Sequence, residues 1–300
     1  MRAKAIVKIC ICGTIALVLA SVLVSLLALP RVLDWKIGDL SFHWIDDHGS
    51  DEASVSGEVR ELDVSWLSGS VTVELTDGDA VTLREEPQPE SSDARMRWKL
   101  QDGKLTVYSQ KSGLTIPTRA KQLTIGIPAG RAGKLQKLSL DLSAASASLP
   151  ALTLRELELD SVSGSVTLTG GAYEKLDFDS TSGDLTVTDA AVGELSADTT
   201  SGSLTLDGAF ETIDFDTTSG ALHLTTSILP QDISCDTVSG GVTLTLPENG
   251  GFSATLDSVS GDLTVDGFAG SLHRDEFVYG QGGPAYEFDS VSGDVHIRCA

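Results

Sequence analysis

The sequence predicts an all-β protein, a β-solenoid of ~19–21-residue coils with two strands each, preceded by one transmembrane helix. Three observations carry this. A pattern D-[ST]-[VT]-S-G-x-[VL]-[TH]-[VLI] starts at Asp160, Asp179, Asp198, Asp216, Asp236, Asp257 and Asp289, at spacings of 19, 19, 18, 20, 21 and 32 residues. Within each copy apolar and polar residues alternate, the period of a strand with one buried face. Finally, Ile9–Leu29 runs for 21 residues without a charge.

Residues 1–8 form a short basic segment, with Arg2, Lys4 and Lys8 and no acid. Residues 9–29 as a helix would be about 31 Å long, enough to cross the hydrocarbon core. The flanking charges keep the N-terminus cytoplasmic. A cleaved signal peptide is the rival reading, but its small-x-small site, Val18-Leu19-Ala20, would cut inside the apolar run. The anchor is therefore expected to stay uncleaved, and a mature N-terminus near Ser21 or Leu29 on sequencing would reject this. Cys10 and Cys12, near the cytoplasmic end of the span, are expected to have no role. With eight residues before the span, any sensing role would need a partner protein.

Residues 30–59 read as a juxtamembrane linker, with Trp35, Phe42 and Trp44 suited to the interface or to a core. Residues 60–137 read as an N-terminal β region. Asp102-Gly103, between Met96–Leu100 and Lys104–Tyr108, signals a two-residue hairpin. A strand at Leu123–Ile127 ends at Pro128, and Glu85–Ser92 reads as an exposed loop. Residues 138–300 form the acidic solenoid, with an insert at about 267–285. A worn copy begins at Asp141, and a partial one is Ser68–Val73.

Within a coil, the apolar positions one and three before the Asp (Leu157 and Leu159 in the first) differ in parity from those six and eight after it (Val166 and Leu168). The chain must therefore bend between them, and the bend is expected at Gly164, Gly183, Gly202, Gly220, Gly240, Gly261 and Gly293. Glycine would tolerate the φ required there, and the Asp would cap the turn through its carboxylate. Burying four side chains per coil yields roughly 6–12 kcal/mol. Ordering some 19 residues costs roughly 19–38 kcal/mol in backbone entropy. No coil stands alone, so parallel in-register stacking is required.

The net charge is −22, which argues against nucleic acid as a partner. The acidity is local: residues 31–150 carry 14 basic and 18 acidic residues, whereas residues 151–300 carry 4 and 25. Stacking would align Asp160, Asp179, Asp198, Asp216, Asp236, Asp257 and Asp289 about 4.8 Å apart, with Glu158, Asp177, Asp214 and Glu287 on the same face. Calcium is one remedy for such crowding. The expectation is no metal, since Asp can serve as a turn cap and no G-G-x-G-x-D pattern is present. Outward threonines (Thr167, Thr186, Thr205, Thr243, Thr264) also align, interrupted by His223, His296, Asp207, Asp266 and Arg298. These are expected to be ordinary exposed-strand residues rather than an ice-binding array.

The insert holds His273, Arg274, Asp275, Glu276 and Tyr279, an acid pair beside His and Arg that could suit polysaccharide cleavage. A loop or cap is the expected role. No catalytic residue, cofactor motif or structural zinc pattern stands out. Cys235 occupies a core position and should be a buried small hydrophobe, unpaired with Cys299.

The N-terminal anchor, the LxFDSxSGDLTV units and the ending Gly280-Gln281-Gly282…Phe288-Asp289-Ser290-Val291-Ser292-Gly293-Asp294-Val295 resemble the bacterial putative-adhesin family of uncharacterised β-repeat domains, over roughly residues 60–300. The resemblance implies adhesion and supplies no catalytic residue. The expected protein is a single-pass bacterial membrane protein, held through residues 9–29. Its extracytoplasmic solenoid would act as a non-catalytic, adhesin-like interaction surface for another envelope protein or a cell-surface polymer. The alternatives are an accessory component of an envelope-stress or signalling complex, and a carbohydrate-active β-helix enzyme.

Overall fold

A computed structural model of the chain describes residues 48–89, 94–110 and 120–300, and within it residues 49–300 form one compact unit. The segment at 1–8, the expected transmembrane helix at 9–29 and the linker up to residue 47 lie outside the described residues. Among those described, no helix is long and apolar enough to cross a membrane.

The all-β, solenoid-like prediction holds. Each coil contributes one strand to each of two walls, and neighbouring coils pair in parallel and in register. The first wall stacks β9 (Thr153–Ser161), β11 (Ala172–Ser180), the later part of β12 (Leu185–Thr199), the later part of β13 (Leu204–Thr217) and β15 (Asp232–Thr237). The second wall stacks the end of β8 (Lys137–Leu149), β10 (Val166–Thr169), the starts of β12 and β13, β14 (Leu222–Thr226) and β16 (Val242–Leu246). The period-2 pattern buries Leu157, Leu159, Val166 and Leu168 in one coil and their counterparts in the next.

A third, shorter run adds an inward residue that the two-strand reading omits. Leu154, Tyr173, Val192 and Phe210 are buried and lie in register. The signal was present, since an apolar residue stands six before the Asp in each of these four coils.

Stacking order departs from sequence order at the C-terminal end. The last coil, β21 (Ala285–Ser290) and β22 (Val295–Cys299), does not close the stack. It lies between β15/β16 and the preceding coil in sequence, β17 (Gly251–Ser258) with β18 (Leu263–Asp266). The 32-residue spacing is the trace of this excursion. After β18 the insert forms an antiparallel hairpin, β19 (Ser271–His273) and β20 (Glu276–Gly280), whose β20 pairs with β17 and caps the first wall. The chain then returns to fill the level beneath.

The N-terminal end is also closed by antiparallel strands. The long β3 (Glu61–Thr76) spans both walls against β8. On the first wall come β6 (Lys104–Tyr108) and β5 (Arg97–Gln101), joined through Asp102 (φ 53) and Gly103 (φ 85), as a two-residue hairpin requires. β1 (His48–Gly49) pairs with β5. On the second wall come β7 (Lys121–Pro128), β4 (Val81–Glu86) and β2 (Glu52–Val55). One helical turn, α1 (Ala129–Ala132), follows β7. Short antiparallel strands thus close both walls at the N-terminal end and the first wall at the C-terminal end, which limits open-ended pairing there, while β18 is the edge of the second wall.

Three expectations need correction. None of the seven motif glycines has a left-handed φ. They share close approach instead: a Cβ on Gly202 would lie 2.0 Å from the carbonyl oxygen of Gly183, and one on Gly240 1.7 Å from that of Gly220. The turns touch along a column of glycines, so the side-chain position is filled by the neighbouring coil. Second, the turn cap is the residue after the Asp. The Gly183 amide donates to Ser180 Oγ at 2.7 Å, Gly220 to Thr217 Oγ1 at 2.8 Å and Gly293 to Ser290 Oγ at 2.6 Å. Third, Glu85 is not in an exposed loop. It lies within β4, one residue before its end, as a buried residue and pairs with Lys121 Nζ at 2.5 Å.

Candidate functional site

The outward face of the first wall carries the expected aspartate ladder, in an order the sequence did not show. Register pairs run Asp141, Asp160, Asp179, Asp198, Asp216, Asp236, Asp289 and then Asp257, all on adjacent strands. At β-strand spacing, each neighbouring pair repels by about 0.9 kcal/mol even in water. Crowding shows in the acidities. Burial first and neighbouring carboxylates second push Asp160 up to about 6 and Asp216 up to about 7. Asp179, Asp198, Asp236 and Asp289 are raised for the same two reasons. The outer side of most of these carboxyls still meets solvent, so water and salt screen part of the repulsion.

The wall is not uniform along its length. Four positions before the Asp, the register reads Lys104, Glu61, Lys137, Glu156, Lys175, Glu194, a ladder of alternating sign. Lys137 reaches Glu158 at 2.5 Å and Glu156 at 3.3 Å, and Lys175 reaches Asp177 at 2.9 Å. The Lys137 hydrogen bond holds Glu158 below the ordinary carboxylate range. Glu156, Glu158 and Asp177 also lie close enough to share an ion, but these two lysines already serve them. Beyond Glu194 the cations stop. Asp198, Asp214, Asp216, Asp232, Asp236, Glu287, Asp289 and Asp257 then share the wall, and no Lys or Arg occurs in sequence between Lys175 and Arg274.

This ladder gives a pH dependence with a definite sign. A carboxyl whose folded pKa is raised binds more protons in the folded than in the unfolded state, so stability falls as pH rises through the raised value. Melting temperature should therefore increase from pH 8 to pH 6. Asp216→Asn should raise stability at pH 8 and flatten that slope, because it removes a charge from a crowded rung without removing a turn cap. A slope unchanged in Asp216→Asn would show that the Asp216 carboxyl is not raised by its burial and its neighbours in the ladder.

The metal reading is tested with the same positions. Millimolar calcium should raise the melting temperature little more than sodium chloride of matched ionic strength. A calcium-specific increment that vanishes in Asp198→Asn/Asp216→Asn would instead make the ladder a metal site, since stabilisation by a ligand grows with the logarithm of its concentration.

The second wall is polar but mixed. Thr167, Thr186 and Thr205 are in register with one another, then His223, Thr243, His296 and Thr264. The next outward column reads Thr169, Thr188, Asp207, Thr225, Thr245, Arg298, Asp266. His296 Nε2 lies 2.8 Å from Asp266 Oδ2, and Arg298 Nε donates to Thr245 Oγ1 at 2.8 Å. These pairs sit on an open strand face. His273, Arg274, Asp275 and Glu276 are exposed at the β19–β20 turn, while Tyr279 packs with Phe252 and Phe268 in the end plug. Cys235 is buried, and both it and Cys299 are free thiols.

Two walls of parallel in-register strands around a stacked core define a β-solenoid-like repeat domain with its distinctive chemistry on one outer face. The chain belongs to the Toastrack DUF4097 family, whose profile matches residues 59–298. Two solved structures share the fold. One is described as a putative adhesin from Bacteroides fragilis, at 14% identity and a TM-score of 0.51, covering 85% of this chain and 98% of that one. The other is described as a putative lipid binding protein from Parabacteroides distasonis, at 14% identity and a TM-score of 0.50, covering 86% and 98%. No curated protein matches the chain.

Proposed function

We propose that this protein is a membrane-anchored, extracytoplasmic and non-catalytic interaction domain of the bacterial envelope, adhesin-like in its use of an extended face. The observation that carries the reading is the cation-free half of the first wall. It presents a regular carboxylate array over several coils, on a scaffold whose repeats favour broad surface contact over a deep pocket. Such a face suits a cationic stretch of another envelope protein or a cationic surface polymer. The apolar run at 9–29 would hold it at the membrane with its bulk outside.

The test is capture from solubilised membranes of the source bacterium, comparing wild type with Asp214→Asn/Asp216→Asn/Asp232→Asn/Asp236→Asn. The expected result is a defined set of partners retained by wild type at low salt and lost in the variant or at 0.5 M salt. Identical capture by both proteins would remove the acidic wall from the binding surface, and turnover of an envelope polysaccharide would replace the reading with an enzyme.

A further inference from the structure

The last coil differs from all the others in how it is held. Every coil from β9 to β14 lies beside both of its neighbours in sequence, so chain connectivity guides its register. The coil β21–β22 pairs with residues 53 positions upstream on one side (Asp236 with Asp289, Val242 with Val295) and 32 upstream on the other (Asp257 with Asp289, Leu263 with Val295). It is a wedge: Tyr286, Phe288, Val295 and Ile297 are buried in the core, and the Tyr286 hydroxyl donates to Pro230 O at 3.0 Å. The ladders that join the end cap to the stack run through this coil.

Two features make the wedge separable. Its lead-in is Gly280-Gln281-Gly282-Gly283-Pro284, with φ of 63° at Gly280, 76° at Gly282 and 156° at Gly283, and a side chain at Gly282 would meet open space. This is a short glycine-rich connection ending in a proline, anchored at Gly280 and Gly283 against the carbonyls of Gly250 and Gly251 and open only at Gly282. In addition, the walls of the slot match each other. The coils at Asp236 and Asp257 carry the same motif, at a spacing of 21 residues, close to the 18–20 of directly stacked coils. The slot therefore presents the wedge's own motif on both flanks, whichever copy the wedge comes from.

We propose that the space between β15/β16 and β17/β18 is a strand-accepting site that takes this C-terminal coil from a second copy of the chain, so that the protein self-associates by exchanging residues 283–300. The released coil is apolar on its inner side and needs a slot with its own motif on both flanks. The chain supplies one such slot per copy. Exchange of an identical element through a hinge is a low-cost route to association, and here it would link copies displayed on one surface.

The experiment uses full-length chains with Cys10, Cys12 and Cys299 replaced by serine. One preparation carries Thr243→Cys and a second, differently tagged, carries His296→Cys; these positions face outward and are in register. The two are mixed at high concentration and treated with a short bis-maleimide. Exchange predicts an interchain product of the two tags at least tenfold above a control mixture of Thr167→Cys with His296→Cys, whose coils are not neighbours. A chain carrying both Thr243→Cys and His296→Cys, cross-linked in cis beforehand, should no longer form mixed complexes. Interchain yield equal to the control overturns the proposal, as does undiminished association of the cis-locked chain.

Discussion

Gly202→Val should destabilise the domain by more than about 2 kcal/mol, a fall of at least about 4 °C in melting temperature for a unit of this size. The cause is contact between coils. A Cβ at this position would sit 2.0 Å from the carbonyl oxygen of Gly183, and neither group can move without shifting a whole turn. Gly202→Ala should therefore cost nearly as much, because the first carbon already collides. Gly130→Ala, where a Cβ meets nothing within 4 Å, should be close to neutral. Near-wild-type melting of Gly202→Ala would mean that the coils stand further apart than the structure places them.

Lys121→Ala should cost about 3–5 kcal/mol, the range for removing one partner of a buried ion pair. Lys121 Nζ meets Glu85 Oε1 at 2.5 Å, donates to the Ala94 carbonyl at 2.7 Å and bonds the Ser109 carbonyl. It lies 5.1 Å from the centre of the Trp66 ring, whose indole N–H donates to the Lys121 carbonyl at 3.0 Å. Without the ammonium, Glu85 keeps one backbone donor, Met96 N at 2.9 Å, inside the fold. Burial already pushes the Glu85 carboxyl up despite the lysine, so its protonation would relieve the loss. The deficit should be smaller at pH 5 than at pH 8. Glu85→Leu/Lys121→Met should recover most of the stability, because apolar replacement of a buried pair is often near neutral. A double variant as unstable as Lys121→Ala would assign the loss to packing instead of charge.

The repeat chemistry was legible because each coil states it locally. Alternation placed Leu157, Leu159, Val166 and Leu168 inward, and the shared motif implied that the aspartates align. The glycine column was legible as a position but not as a cause. A glycine that makes room for a neighbour's carbonyl looks the same in sequence as one that takes a positive φ, and only the adjoining coil tells them apart. The cap is ambiguous in sequence for a similar reason, since Asp and Ser/Thr are adjacent and both accept amide hydrogen bonds. Strand alternation decides between them: the Ser/Thr hydroxyl turns inward to the Gly amide, and the Asp faces out.

The sequence by itself determined the strand period, the coil length, the inward residues and the acidity of the face. All of these arise from side-chain pattern within some twenty residues. Only the tertiary structure decided the stacking order at the end, because the coils at Asp236, Asp257 and Asp289 share one motif and any of them fits against any other. The insert is where the order changes: the hairpin at 271–280 caps the first wall, and the chain after it returns as β21 and β22 to the level beneath. The Glu85–Lys121 pair was equally invisible, since an acid in a run of acids and prolines reads as exposed until β7 is laid beside β4. Long-range pairing decides burial there, and burial decides what a charge is worth.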